Sequence, residues 1–291
     1  MKEVDLESKL VKNFYENKNM NTPLVSIVTV VYNGAQYLEK TIKSVISQNY
    51  KNIEYIIIDG GSSDDTLNII KKYEEHITYW ISEKDDGMYN AINKGFSCAN
   101  GEILCWLNSD DIYFPLAIQN VVETFNSFND VEWITGRKVI INKYDQIIKV
   151  GCFKSFYRIF IKNGFYRGDA FGTITQETTF WRKSLLEKVG YINEELKVAS
   201  DFELWTRFSE YAELYSLNTI LSGFRSHDGQ LSSDLGKYYD ECQKVKPLRY
   251  KKVTKLFGIL FYFISMVTAK NKIILLKNGK IKKIETLFSF E

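Results

Sequence analysis

Hydrophobic and polar positions fall into alternating blocks along the first half of the chain. Val25–Val31 is a short run rich in β-branched residues, the pattern of a strand buried on both faces. Tyr37–Ser47 places Leu38, Ile42, Val45 and Ile46 at helical spacing. Ile53–Ile58 reads as a second buried strand, and Asp64–Glu75 as a helix that Ser62, Ser63 or Asp64 can cap. Thr78–Ile81 gives a short third strand, Met88–Ala99 a helix, and Ile103–Leu107 a fourth buried strand. Pro115 then stands near the first turn of another helix. Residues 131–153 suit a hairpin punctuated by Gly136 and Gly151. A mixed region over residues 174–225 includes a helix through Asp201, Leu204, Trp205 and Phe208. Strands that alternate with helices predict an α/β fold with right-handed crossovers: a Rossmann-like, mostly parallel central sheet flanked by helices.

Three of the four strands end in polar clusters: Tyr32-Asn33-Gly34, Asp59-Gly60-Gly61 and Asn108-Ser109-Asp110-Asp111. Ligands of open α/β sheets gather at such carboxyl ends. Adjacent carboxylates at the end of a buried strand repel each other and are best tolerated beside a cation. Mg²⁺ or Mn²⁺ suits them, because both prefer oxygen ligands and bridge carboxylates to phosphates. The plainer alternative for Asp110 and Asp111 is a helix cap and a solvated carboxylate. Asp59, directly after Ile56-Ile57-Ile58, can accept hydrogen bonds from a base or a ribose, although Gly-Gly-Ser-Ser-Asp is also good turn chemistry.

In combination and order, these residues resemble glycosyltransferase family 2. The resemblance rests on Pro23–Asn33, Ile58–Thr66, Ser82–Gly95, Leu107–Asp111 and Ala199–Trp205, and covers residues 23–232. It implies a GT-A fold and an inverting transfer of sugar from a nucleoside-diphosphate sugar, UDP being the usual leaving group, to a hydroxyl of a glycan or lipid-linked acceptor in polysaccharide biosynthesis. By position, it assigns Val31, Tyr32, Asp59, Asp85, Asp86, Asn93, Lys94, Asn108 and Asp110 to the donor. Asp110, Asp111 and His227 fall to a Mn²⁺ or Mg²⁺ ion, Gln176 to the acceptor side and Asp201 to the catalytic base, while Trp205 can stack on a sugar on the acceptor side, with core packing as its default use. One departure stands out. Many members carry two adjacent Asp residues after the second strand, whereas this chain has Asp59-Gly60.

Asp201 has an independent, weaker rationale. An acceptor hydroxyl needs a base during attack, and a carboxylate from a separate segment can sit opposite the leaving diphosphate. Otherwise Asp201 is a first-turn residue favoured by the helix dipole. A dinucleotide oxidoreductase is disfavoured, since no Gly-x-Gly-x-x-Gly follows the first strand, and no P-loop motif occurs. The alternative from a different class is a nucleotide-sugar-binding but inactive module, recruited to a membrane or partner through a basic tail.

That tail emerges from the charge distribution. The net charge is +2, but residues 241–291 hold 12 Lys and Arg against 3 Asp and Glu, leaving 26 against 33 in the rest. We therefore divide the chain into a flexible arm at 1–22, a catalytic domain at 23–240 and a basic amphipathic region at 241–291 with a small helical tail. Leu256–Ala269 is nearly all apolar and flanked by lysines, which predicts a helix lying in a membrane interface, with packing on the body or an oligomer contact as the other use. No interleaved aromatic–basic strand points to nucleic acid. Four scattered cysteines and a polar N-terminus predict a cytoplasmic protein, peripheral at the inner face of the cell membrane.

Overall fold

The computed structural model describes residues 22–168, 171–230, 234–247, 271–277 and 280–286. The first part of the chain alternates as its pattern predicts: β1 (Val25–Val31), α1 (Ala35–Ile46), β2 (Ile53–Asp59), α2 (Thr66–Lys72), β3 (Tyr79–Ser82), α3 (Met88–Cys98) and β4 (Ile103–Trp106). After it come β5 (Ile112–Tyr113), α4 (Ala117–Ser127), β6 (Trp133–Asn142), β7 (Ile147–Val150) and α5 (Arg158–Lys162). A 3-10 turn at Gln176–Thr178 leads into β8 (Thr179–Arg182), α6 (Lys183–Val189), α7 (Ser200–Phe208), β9 (Leu214–Ser226), α8 (Leu235–Val245), β10 (Asn271–Lys277) and β11 (Lys280–Thr286).

Within the sheet, β3, β2, β1 and β4 are neighbours and all parallel. Beyond β4 the sheet is mixed. β8 is antiparallel to both β4 and β6, whereas β6 and β9 run parallel. The register aligns Val31 with Asp59 and Asp59 with Ser82, so three strand ends finish level with one another. The long β9 returns the chain from the far half of the sheet to this same edge, where Gly223 pairs with Ile112 just after Asp111.

Side-chain alternation on β1 explains the two layers of core. Val25, Ile27 and Val31 join one cluster with Leu38, Ile42 and Val45 of α1. Val28 and Val30 join the other, with Ile92 and Phe96 of α3. Each such fully buried aliphatic side chain stabilises the fold by about 1.5–3 kcal/mol. Gly95 is what lets α3 lie so close to the sheet, since a Cβ there would come within 2.3 Å of Val28 Cγ1.

The tail differs from its expectation. α8 is helical, but residues 271–286 form an antiparallel pair, and β10 joins β9 in parallel. These residues therefore belong to the same sheet as the catalytic core. Lys283 of β11 fixes the pair to the body through an ion pair with Asp130 and by lying 4.8 Å from the Tyr215 ring. Isoleucine-rich runs around Asn278-Gly279 carry the physical reason, because that dipeptide is a hairpin signal. The apolar segment Leu256–Ala269 and the arm at 1–21 lie outside the described residues. Among the described residues, no helix is long and apolar enough to cross a membrane.

Gly95→Ala is expected to destabilise by about 1–3 kcal/mol through overpacking against Val28, read as a drop in the urea midpoint. Val28→Ala in the same chain should recover part of that loss, because the two sites share one contact.

Candidate active site

The level strand ends are stitched into one rim. Gly60 N donates to the Val31 carbonyl at 2.9 Å. Asn33 takes a left-handed φ of 50°, and its amide oxygen accepts from Ser63 N at 2.9 Å. Gly34 N donates to Thr66 Oγ1 and Ala35 N to Asp64 Oδ2, each at 3.0 Å. Tyr32 is left standing outward at 68% exposure beside this rim, and Val31 contributes only its main chain, since its side chain is in the core.

Asp59 is the organiser of the rim. Its carboxylate is fully buried and accepts from Gly61 N at 3.1 Å, Ser62 N at 3.0 Å, Ser82 Oγ at 2.6 Å and Ser62 Oγ. Three of these donors fall on Oδ2 and one on Oδ1, so the buried carboxylate is engaged mainly in holding its own loop. The carboxylate that overlies this loop belongs to Asp85: a Cβ on Gly60 would lie 2.6 Å from Asp85 Oδ2. Asp85 in turn accepts from Gly87 N at 2.9 Å, with Gly87 at φ 121°. Asp86 is exposed at the same turn.

Two further residues assigned to the donor have protein partners of their own. Asn93 points to the loop at residues 192–194, where its amide bonds Ile192 on both sides and Glu194. Lys94 pairs with Glu83 at 2.7 Å.

At the end of β4 the two neighbouring aspartates part. Asp110 is partly open, and its Oδ2 lies 3.0 Å from His227 Nε2. His227 Nδ1 faces the Asp228 carbonyl at 2.8 Å, and the ring packs on Tyr37 with centroids 4.7 Å apart. Both ring nitrogens therefore face acceptors, which calls for a proton on each or a cation between Nε2 and Asp110. With Nδ1–H donating to the carbonyl, the Nε2 lone pair is directed at the carboxylate, the orientation a metal-binding imidazole takes. Asp111 differs from its expected role as a second ligand. Its carboxylate is buried, and Oδ1 accepts from Arg225 N at 2.9 Å. Burial, then the charges of Asp110 and Glu177, push its carboxyl well above the usual range. Among the described residues no three His, Cys, Asp or Glu side chains converge as a metal cage. Two protein ligands with open positions nonetheless fit Mg²⁺ or Mn²⁺, which keep waters and bind substrate phosphates.

Arg225 locks this turn. Its side chain is fully buried, with Nε donating to the Asp110 carbonyl at 2.7 Å and Nη1 paired to Asp145 at 2.5 Å. The guanidinium lies 4.8 Å from the Tyr37 ring centroid.

Asp201 lies in the first turn of α7. Its Oδ1 is sealed from solvent and has no hydrogen-bond partner among the described residues. Burial pushes its carboxyl up to about 7, opposed by the Phe202 N–H and reinforced by the charge of Glu177. The buried Glu177 carboxylate and Lys138 Nζ lie 3.3 Å apart, and this pair acts electrostatically on both Asp111 and Asp201. One charge cluster thus joins the β4 turn to α7. Gln176 sits between them: its Nε2 donates to the Trp106 carbonyl, and Asn108 Nδ2 reaches its Oε1 at 3.4 Å.

Trp205 is withdrawn from the acceptor side. It is 2% exposed and stacks between Trp106 and Trp133 at 5.9 and 5.7 Å. The cause is helical spacing, since a residue one turn after Asp201 at the inner face of α7 must enter the core. Sequence reasoning passed over Glu177, Lys138 and Arg225. Glu177 adjoins Gln176 and Arg225 stands near the end of β9, two residues before His227, but nothing local marks Lys138.

Comparison with known proteins accords with this geometry. A family model described as Glycosyl transferase family 2 matches residues 26–190. An uncharacterized glycosyltransferase of Rickettsia typhi is 29% identical over 276 residues, covering 92% of this chain and 85% of the relative. Another from Mycobacterium tuberculosis is 29% identical over 206 residues, 70% of this chain and 76% of its own. Among solved structures, S. aureus TarS 1–349 in complex with UDP-GlcNAc superposes with a TM-score of 0.60 at 18% identity, over 72% of this chain and 61% of that one. The mannosyltransferase PcManGT from Pyrobaculum calidifontis, with GDP-Man and Mn²⁺, gives 0.58 at 15% identity, over 82% and 71%. Since that family model spans more than half of its length, the chain belongs to glycosyltransferase family 2, and its architecture is the GT-A fold.

Proposed function

We propose that this chain moves a sugar from a UDP-sugar to a hydroxyl of a glycan or lipid-linked acceptor, with inversion at the anomeric carbon, in polysaccharide assembly. The carrying observation is Asp201: a carboxylate with one sealed oxygen that has no hydrogen-bond partner among the described residues, pushed up to about 7 by burial, and joined through the charges of Glu177 and Lys138 to Asp111, the neighbour of Asp110. A base whose proton affinity lies near the working pH is suited to accept a proton in the transition state.

In this reading Tyr32 and Asp85 flank the nucleobase, and Asp85 provides the carboxylate that a second strand-end Asp provides elsewhere in the family. Asp110 and His227 would hold Mn²⁺ or Mg²⁺, which supplies charge neutralisation at the leaving diphosphate. The acceptor hydroxyl loses its proton to Asp201 as its oxygen bonds the anomeric carbon from the side opposite the diphosphate, whose C–O bond breaks. A single displacement of this kind inverts configuration. Neighbours crystallised with UDP-GlcNAc and with GDP-Man and Mn²⁺ support a nucleoside-diphosphate donor and a metal. The basic stretch at 241–291 supports an anionic membrane surface as the place where a lipid-linked acceptor is met.

Asp201→Asn is expected to lower transfer by about 10²–10⁴-fold while UDP binding, read by calorimetry, persists. Unchanged turnover would remove Asp201 from this role and favour another base. In the parent enzyme, log(kcat/KM) should rise with pH and level off above about 7, as Asp201 loses its proton.

The same burial has a consequence for stability. The folded carboxyl binds its proton up to about pH 7, whereas an unfolded Asp releases it near 3.9. Between those values the folded state holds more protons, so stability falls as pH rises. Asp201→Asn escapes this loss and should gain on the parent by roughly 1–4 kcal/mol between pH 4 and 8, measured by urea unfolding at each pH.

His227→Ala should abolish the Mn²⁺-dependent part of the thermal shift produced by UDP. With ligand at a hundredfold excess over Kd, that shift corresponds to about 2.7 kcal/mol in the parent. An equal Mn²⁺-dependent shift in the variant would place the ion elsewhere.

A further inference from the structure

The segment Ile192–Ala199, which leads directly to Asp201, is gripped at both ends by side chains from other helices. At its start, Asn93 Nδ2 donates to the Ile192 carbonyl at 2.8 Å and to Glu194 Oε1 at 2.7 Å, while its Oδ1 accepts from Ile192 N at 3.0 Å. Asn90, one turn earlier on α3, donates to the other Glu194 oxygen at 2.9 Å. These bonds use three of the four hydrogen-bonding positions of the Asn93 amide, and all of them go to Ile192 and Glu194.

At its end, the segment meets α8. The buried Glu241 carboxylate accepts from Lys197 N, Val198 N and Ala199 N at 2.9–3.0 Å. α7 lacks a side-chain cap of its own, its N-cap residue being Ala199. Main-chain N–H groups at a helix start need acceptors, and Glu241 supplies them to the turn just before α7 from a helix remote in sequence. Ser200 completes the brace: its Oγ donates to the Asn193 carbonyl at 2.7 Å and its N–H to Tyr89 Oη at 3.2 Å. Asp201 is the next residue.

We infer that Ile192–Ala199 is a rigid strut, pinned by Asn93 and Glu241, and that both are positioning residues for Asp201 that act on the chemical step and leave nucleotide affinity alone. This rests on the reading of Asp201 as base. Its physical basis is the steep distance dependence of proton transfer and attack, where a displacement of about 1 Å costs on the order of 10²-fold in rate. It also reassigns Asn93. Its position in the motif Ser82–Gly95 suggests a donor contact, while its bonds tie α3, whose start lies beside Asp85, to the element that carries the base.

The test uses Asn93→Ala and Glu241→Gln in the full chain. UDP affinity in the presence of Mn²⁺ is measured by calorimetry, amide exchange over residues 192–202 by mass spectrometry, and kcat and donor KM with whichever UDP-sugar the parent turns over. The expected result is UDP affinity within about twofold of the parent, amide exchange faster by at least about tenfold, and kcat lower by about 10–100-fold with donor KM unchanged. A tenfold or greater loss of UDP affinity in Asn93→Ala would make Asn93 a nucleotide contact and overturn the inference, as would unchanged exchange. Asn93→Ala decides the matter alone if Glu241→Gln does not fold. Full activity of Asp201→Asn alongside faster exchange in Asn93→Ala would mark failure of the base assignment with the strut itself intact.

Discussion

Carboxylates buried at the ends of strands impose the constraint that shapes this site. An ionised group removed from water must find donors or a counter-charge, or else keep its proton. The chain solves the problem differently at each position. Asp59 is satisfied by four donors from its own loop and from Ser82. Asp111 receives one main-chain N–H from Arg225 and is left with a sealed second oxygen, and its carboxyl is held well above the usual range. Glu177 has Lys138 at 3.3 Å. Asp201 has main-chain N–H donors only, and burial, the largest influence on it, pushes its carboxyl up to about 7. At Asp111 and Asp201 alike, burial is what raises proton affinity above that of a free carboxyl.

Arg225 links that electrostatics to architecture. A buried guanidinium is costly unless its donors are used. Here Nε and Nη1 fasten the Asp110 carbonyl and the tip of the β6–β7 hairpin at Asp145, and the main chain holds Asp111, while Nη2 is buried without a hydrogen-bond partner among the described residues. β9 brings both Arg225 and His227 to the rim, because it runs beside β6 from the far half of the sheet. The parallel pairing of β6 with β9 is thus what places an imidazole next to a carboxylate 117 positions away in sequence. Among the described residues, the hairpin of β10 and β11 extends the same sheet from the outer side of β9, so the basic C-terminal stretch is partly structural.

The fold was largely legible in the sequence, and for a definite reason. β1, β2 and β4 are buried on both faces, so they read as unbroken apolar runs, and α1 and α3 have one buried face each, so they read as helices. Residues 271–286 were not legible in the same way. Their lysines suggested a basic amphipathic region with a small helical tail, whereas the strands form through β10 pairing with β9, where Ile273 stands against Ser216, more than 50 residues away in sequence. At the site, position along a strand end could be read, but side-chain direction could not. Asp110 and Asp111 look equivalent as letters, yet the backbone turn sends one toward His227 and the other toward Arg225 N. Trp205 can serve as a sugar platform or as core by its residue type, and its place one turn after Asp201 on the inner side of α7 puts it in the core, between Trp106 and Trp133. Asn93 sits in a motif with Asp85 and Asp86, yet the helix turns its side chain toward a loop a hundred residues distant in sequence. Lys138 and Glu177 meet only through tertiary pairing, and no local pattern encodes such a meeting.

The departure Asp59-Gly60 can now be understood as an exchange of space. A side chain at residue 60 would collide with the Asp85 carboxylate, since even its Cβ would lie 2.6 Å from Oδ2. Losing the second aspartate opens room for Asp85 to lean over the loop, and Gly87 at φ 121° provides the turn that delivers it. One carboxylate thus remains at the rim, now carried by the segment that opens α3 instead of by β2. The physical requirement is an acceptor at that point in space, and two chain segments compete to provide it. A side chain at position 60 would oblige the Asp85 carboxylate to turn aside, so the glycine is what leaves that carboxylate standing over the loop.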